Sequence, residues 1–160
     1  MKKLEGTAIM VAVLFLGITA VCAAAECTKE EVKKSVLYAA DLLASKGRAA
    51  YPVLEKFRFC GSEGYVWVSD MDGLMLMHPV SKKLVGVNQT ALQDPKGKYF
   101  YAEMIHKAKS DGEGWVSYYW LNPVTNVLEP KCSFVKATTL DGKKVWCGAG
   151  VYGIGEAGCK

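Results

Sequence analysis

An α+β fold is what this sequence predicts, with five antiparallel strands in one sheet and a long helix lying across a face of it. Three observations carry the prediction. Apolar residues recur at helical spacing between Val32 and Leu43 and again between Phe100 and Ala108. Several later segments alternate apolar or aromatic with polar residues, as half-buried strands do. The turn signals Asp70-Met71-Asp72-Gly73, Asn122-Pro123 and Asp141-Gly142 separate those segments at hairpin distances. A helix with one apolar stripe and a sheet with one apolar face must each be covered, and packing the first on the second covers both.

The first helix opens at Thr28-Lys29-Glu30-Glu31, a hydroxyl followed three residues later by a carboxylate that returns to the cap. Val32, Val36, Ala39, Ala40 and Leu43 form its inward stripe, Lys33, Lys34 and Asp41 point away, and Gly47 stops it. A second helix is expected over about 48–57, carrying Tyr51, Leu54 and Phe57, with Pro52 near its start where proline is tolerated. Residues 60–64, C-G-S-E-G, read as a loop. Strand one follows over 65–69, the turn at 70–73 reverses the chain, and strand two returns over 74–78 until Pro79 ends the ladder.

Residues 82–90 show no regular pattern. Asp94-Pro95-Lys96-Gly97 leads into a helix of roughly a dozen residues with Phe100, Met104, Ile105 and Ala108 inward, closed by Gly112 and Gly114. Three strands complete the chain, over 115–121, about 128–140 and 144–152. Asp141-Gly142, between the last two, is the strongest short hairpin signal present. There is no internal repeat and no low-complexity segment.

Length and charge narrow the function classes. The 160 residues begin with Lys2 and Lys3, carry no charge from Gly6 to Ala25, and close that stretch with small residues at Ala23 and Ala25. This is the pattern of an export signal over 1–25, cut before Glu26. The competing reading keeps the same uncharged stretch as a membrane anchor, and only then would this chain touch a membrane. A lipoprotein cut at Cys22 fits less well, because Val21 is bulky for the position before it. Residues 26–160 are then one domain with one core. Without Lys2, Lys3 and Glu5, the mature part holds 18 Lys and Arg against 15 Asp and Glu with no basic run, which does not support a nucleic-acid partner.

Five cysteines remain after Cys22 is removed: Cys27, Cys60, Cys132, Cys147 and Cys159. Export permits disulfides, and the odd count leaves at least one thiol over. No C-x-x-C or C-x-x-C-H occurs, so the usual dithiol and c-type haem signatures are missing and no cofactor is expected. A two-residue turn at Asp141-Gly142 sets Cys147 opposite Lys136 and Cys132 opposite Val151. Cys132 and Cys147 are then on the order of 13 Å apart, beyond disulfide reach.

In chain order, the runs D-M-D-G-L-M-L-M-H-P at 70–79, G-V-N at 86–88, G-K-Y-F at 97–100, G-W-V-S-Y-Y-W-L-N-P-V-T at 114–125, E-P-K-C-S-F-V at 129–135 and G-A-G-V-Y at 148–152 resemble a Cache domain. The resemblance is to the single-Cache type 2 group, the extracytoplasmic sensor domains of bacterial chemoreceptors and histidine kinases, and covers about residues 28–153. It implies a PAS-like form of the fold above, with a long N-terminal helix packed across the sheet and a pocket on the sheet face for small organic molecules, often short carboxylates. It also implies a strand order in which the starts of strands one and four meet the C-terminal tail, so that Cys60 pairs with Cys132 or Cys159. Unlike the receptors, the sequence shows no second transmembrane helix, HAMP segment or signalling domain after Lys160, and a stand-alone module, periplasmic or secreted, is the expectation.

A short carboxylate held away from water needs a cation or several donors. Lys131 is the first candidate, beside Pro130 and matching the lysine of the family's P-K step; a solvated lysine at a strand end is the alternative. His78 matches the family's H-P step and could donate to the ligand with a pH-dependent strength, or serve as a structural hydrogen bonder. Trp67 on strand one, Tyr118 and Trp120 on strand three and Tyr101 on the helix are chosen as pocket walls that combine apolar area with a donor; plain core packing is the competing reading. His106 falls on the polar side of its helix. Two histidines without a carboxylate at ligand spacing make no zinc site. Asp70-Met71-Asp72-Gly73 lacks the later ligands of a calcium loop and reads as turn chemistry, while Asn88 and Asp94 read as caps.

The functional expectation is therefore an extracytoplasmic sensor-type module that recognises a small organic acid of two to four carbons without turnover. No G-x-S-x-G, H-E-x-x-H or paired cysteine and histidine suggests an enzyme. The alternative is an exported interaction protein that docks a membrane receptor or kinase and binds no small ligand.

Overall fold

The computed structural model describes residues 27–160, so the export-signal reading of 1–25 lies outside the described residues. In chain order they form α1 (Lys29–Lys46), a 3-10 turn (Gly47–Ala50), α2 (Tyr51–Lys56), β1 (Trp67–Asp70), β2 (Met75–Met77), α3 (Phe100–Ser110), β3 (Glu113–Leu121), β4 (Leu128–Leu140), β5 (Lys143–Tyr152) and a closing 3-10 turn (Glu156–Cys159). The strands make one antiparallel sheet in the order β2-β1-β5-β4-β3. This is the predicted five-stranded sheet with a long helix across it.

The start of α1 follows from its capping box. Thr28 Oγ1 accepts the Glu31 N–H at 3.2 Å, and the Glu31 carboxylate accepts the Thr28 N–H at 3.1 Å. The helix stops at Gly47, whose φ of 56° and closeness to the Asp141 carboxylate leave no room for a side chain. Asp141 also accepts the Arg48 N–H and pairs with its guanidinium at 3.4 Å, which fastens the end of α1 to the β4–β5 turn.

Several boundaries move. The expected second helix divides into the 3-10 turn and α2. Tyr65 and Val66 are buried but precede the ladder, which starts at Trp67. The Asp70 carboxylate accepts the N–H groups of Asp72 and Leu74 at 2.9 and 2.8 Å. That tight turn, with a register shift at Val68/Ser69, shortens β2 and accounts for the acidic pair without a cation. Gly114 belongs to β3 instead of closing α3.

The sheet buries both faces. Against α1 lie Val66 and Val68 of the β1 segment, Cys132 and Phe134 of β4, and Cys147 and Val151 of β5, while α3 covers the opposite face. The β4–β5 register is the predicted one, with Lys136 opposite Cys147 and Cys132 opposite Val151. Cys147 is the free thiol among the described residues, and burial pushes it up to about 12.

The disulfides are Cys27–Cys60 and Cys132–Cys159, which overturns the expected partnering of Cys60 with Cys132 or Cys159. In the sheet β5 lies between β1 and β4. A bridge between Phe59 and Gly64 turns the loop toward the N-terminus of α1, where the Glu31 carboxylate is 3.9 Å from the Cys60 sulfur. Cys132 faces α1 and meets the closing turn instead. Lys29 of α1 donates to the carbonyls of Gly158 and Lys160 at 3.0 and 2.7 Å, so both ends of the described chain are clasped together.

Candidate functional site

The α3 face of the sheet holds the unusual chemistry. Strand alternation brings Trp67 of β1, Lys131 of β4, and Tyr118 and Trp120 of β3 to this face, and α3 lays Phe100, Tyr101 and Met104 over it. Between them is a cavity of about 30 Å³, to which Tyr65 and His78 also contribute. All six candidates from the sequence, Lys131, His78, Trp67, Tyr101, Tyr118 and Trp120, meet at this one cavity. His106 is exposed on the far side of α3.

Lys131 is 1 % exposed, so it is not a solvated strand-end lysine. Its register neighbours are Tyr152 on β5 and Tyr118 on β3, both large enough to close over it. The Nζ atom is 3.3 Å from Tyr65 Oη and 3.1 Å from Tyr152 Oη. It stands 5.0, 5.6 and 4.4 Å from the ring centres of Tyr65, Trp67 and Tyr152. Among the described residues, no acidic side chain lines the cavity. Burial pulls the Lys131 pKa below its ordinary value, with Tyr65 opposing. An isolated buried ion costs several kcal/mol, and cation–π contacts return about 2 kcal/mol, so the cage does not replace a counter-ion.

His78 is 7 % exposed and its Nδ1 accepts the Ser81 N–H at 2.9 Å. That bond assigns the proton to Nε2, leaving a neutral ring with one donor free. Burial, then the positive charges of Lys131 and Lys82, lower its pKa to about 4. Trp67, 4 % exposed, has a buried indole N–H without a hydrogen-bond partner. Its edge-on neighbour Trp146 donates to the Asp70 carbonyl at 2.9 Å. An orphaned buried donor costs about 1–3 kcal/mol, which marks Trp67 Nε1 as a place where a ligand atom fits.

The remaining three candidates have structural partners. Tyr118 stacks on Phe100 with ring centres 4.1 Å apart, and its hydroxyl is 3.0 Å from Ser133 Oγ. Tyr101 donates to the Met75 sulfur at 3.9 Å. Trp120 meets Phe100 edge-on at 5.4 Å. They are walls that shape the cavity.

Sequence reasoning passed over four residues of the site: Tyr65, Tyr152, Gly148 and Gly150. A Cβ on Gly150 would lie 2.7 Å from Lys131 Cε and 2.1 Å from Ser133 Oγ, and one on Gly148 would lie 2.8 Å from the Trp67 ring. Two glycines two residues apart inside a strand are a legible sign that something approaches the backbone closely. Asp94 also does more than cap. Its carboxylate accepts the N–H groups of Lys96 and Lys98 and, at 3.1 Å, that of Tyr119 on the edge strand β3, while Lys98 Nζ donates to the Ser117 carbonyl. The loop thereby covers part of the sheet edge. Burial raises the Asp94 pKa, but the three backbone donors outweigh it and hold the carboxyl below its usual range.

Among the described residues, Cys27, Glu31 and Cys60 are grouped at metal-ligand spacing, but both sulfurs are committed to a disulfide. No described helix is long and apolar enough to cross a membrane.

A family model described as Single Cache domain 2 matches residues 2–153. The chain is 39 % identical over 92 residues to the sensor histidine kinase MctS of Rhizobium johnstonii, an alignment covering 58 % of this chain and 19 % of the kinase. The periplasmic sensor domain of a chemotaxis protein superposes with a TM-score of 0.66 at 31 % identity, covering 76 % of this chain and 92 % of that one. A Cache chemosensory domain solved as the structural basis for carboxylic acid recognition gives 0.66 at 28 % identity, covering 77 % and 91 %.

Proposed function

This chain belongs to the Single Cache domain 2 family, and from that premise we propose that residues 26–160 are an extracytoplasmic sensor module that holds a short organic carboxylate without turning it over. The observation that carries the reading is Lys131, a fully buried base with no acid beside it, next to the unpartnered indole N–H of Trp67. A carboxylate supplies what both lack, a negative charge and a second acceptor oxygen. The free Nε2–H of His78 is a third donor, and the aromatic walls receive a short alkyl group. A cavity of about 30 Å³ has room for one or two water molecules, which favours acids of two or three carbons over larger ones. The ligand-bound module reports to a membrane receptor or kinase.

The test is a thermal-shift screen against acetate, propionate, lactate, pyruvate and succinate, followed by calorimetry. Saturable stabilisation is expected with the smallest acids, rising with concentration as mass action requires. Lys131→Ala should remove the response while the variant still unfolds cooperatively. No stabilisation by any acid, or an unchanged response in the variant, would falsify the carboxylate reading.

A further inference from the structure

We propose that the site takes up one proton with each carboxylate: Lys131 is a neutral amine in the empty cavity and becomes an ammonium as the anion arrives. The bound pair, carboxylate and ammonium, then carries no net charge beyond that of the empty site, and the ligand enters as the equivalent of its uncharged acid. The inference rests on the carboxylate reading above and concerns the charge state of the same site.

The groups facing Lys131 point to this balance. From β5 comes Tyr152, from the segment before β1 Tyr65, from β3 Tyr118, from α3 Tyr101 and from the end of β2 His78. Among the described residues, no carboxylate lines the cavity, and burial raises the pKa of Tyr118, Tyr101 and Tyr152, which keeps their hydroxyls protonated. The one other base, His78, is held neutral first by its burial, whatever the charge on Lys131, and Lys82 behind it adds positive charge that works against a second cation here. Glu129 acts on Tyr152 from outside the cavity, and its carboxylate is engaged by Thr125 Oγ1 at 2.8 Å.

The hydrogen bonds fit a neutral amine. Tyr152 gives its hydroxyl hydrogen to the Leu121 carbonyl at 3.2 Å, which leaves its oxygen to accept from Lys131. Nζ also donates to Tyr65 Oη at 3.3 Å, so the two N–H groups of a neutral amine are both used, whereas an ammonium would keep a third N–H without an acceptor in the empty cavity. On ligand binding both contacts persist, and the third N–H that the ammonium gains turns to the carboxylate. The lowered pKa of Lys131 is in line with this arrangement.

Calorimetric titration of the whole chain with acetate and with propionate, in buffers of different ionisation enthalpy, reads the proton count directly. Between pH 6 and 9 the observed enthalpy should vary with the buffer, with uptake reaching one proton per ligand wherever the empty site is neutral. There the apparent Kd should rise about tenfold per pH unit. Saturable binding with no uptake anywhere in that range overturns the inference and leaves the binding reading intact, since it means a preformed ammonium. Binding of neither acid overturns both. In His78→Gln the proton count is read regardless of affinity: persistence of uptake supports Lys131 as the acceptor, and its loss assigns the proton to the imidazole and overturns the inference.

Discussion

Lys131→Met separates what this residue does for the ligand from what it does for the fold. The substitution keeps an unbranched side chain of similar length and deletes the amine. Folding around an empty cavity strips Lys131 of its hydration and its proton, and an apolar side chain of similar volume is spared that cost, on the order of 1–4 kcal/mol. Against this stand the contacts to Tyr65 and Tyr152, together about 1–3 kcal/mol. Tyr152 keeps its bond to the Leu121 carbonyl, so one of the two phenols is not orphaned. The ligand-free variant should therefore stay within about 2 kcal/mol of the parent, which for a chain of this size is roughly 4–8 °C in Tm. Acetate should no longer raise that Tm. Urea and thermal denaturation, each with and without acetate, measure both effects. A loss of more than about 2 kcal/mol without ligand would refute the reasoning, because the lysine would then be part of the packing and not a base waiting for an anion.

His78 makes the fold acid-sensitive. Its pKa falls from 6.5 to about 4 in the folded protein, so its contribution is complete above pH 6.5 and is lost as pH falls toward 4, about 3 kcal/mol in all. Urea unfolding at intervals over that range should show the slope, and His78→Gln should flatten it. Gly150→Ala places a methyl group against Lys131 Cε and Ser133 Oγ, so acetate binding measured by calorimetry should weaken more than tenfold while circular dichroism stays native. Mild reductant followed by alkylation and mass spectrometry should open the partly exposed Cys27–Cys60 bond before the buried Cys132–Cys159 bond. Removing the latter with the double Cys→Ala variant should cost about 3–4 kcal/mol, from its 27-residue separation.

Much of the fold was legible because it is local. The capping box, the stop at Gly47 and the Asp141-Gly142 turn each act within a few residues, and strand alternation put Tyr118 and Trp120 on one face of β3, while setting Trp67 of β1 on that same face took the assembled sheet. Tyr65 and Tyr152 were not selected, because their value lies in flanking Lys131 across two separate strands, and only the assembled sheet displays that. The burial of Lys131 is likewise a tertiary fact: Tyr152 and Tyr118 flank it by register, and Gly150 leaves the space its aliphatic stem occupies. The sequence reading of Cys60 erred for a related reason. It followed the implied meeting of strand starts, whereas the direction of the loop is set by the Phe59–Gly64 bridge and by the approach of α1.

The clasp between Lys29 and the carbonyls of Gly158 and Lys160 closes the described fold on itself like a loop drawn shut. The start of α1 and the closing turn lie side by side, so the described fold is entered and left at one edge. Cys159, beside one end of the clasp, is bonded to Cys132, the neighbour of Lys131 in β4. The closing turn is thus tied covalently to the strand that carries Lys131.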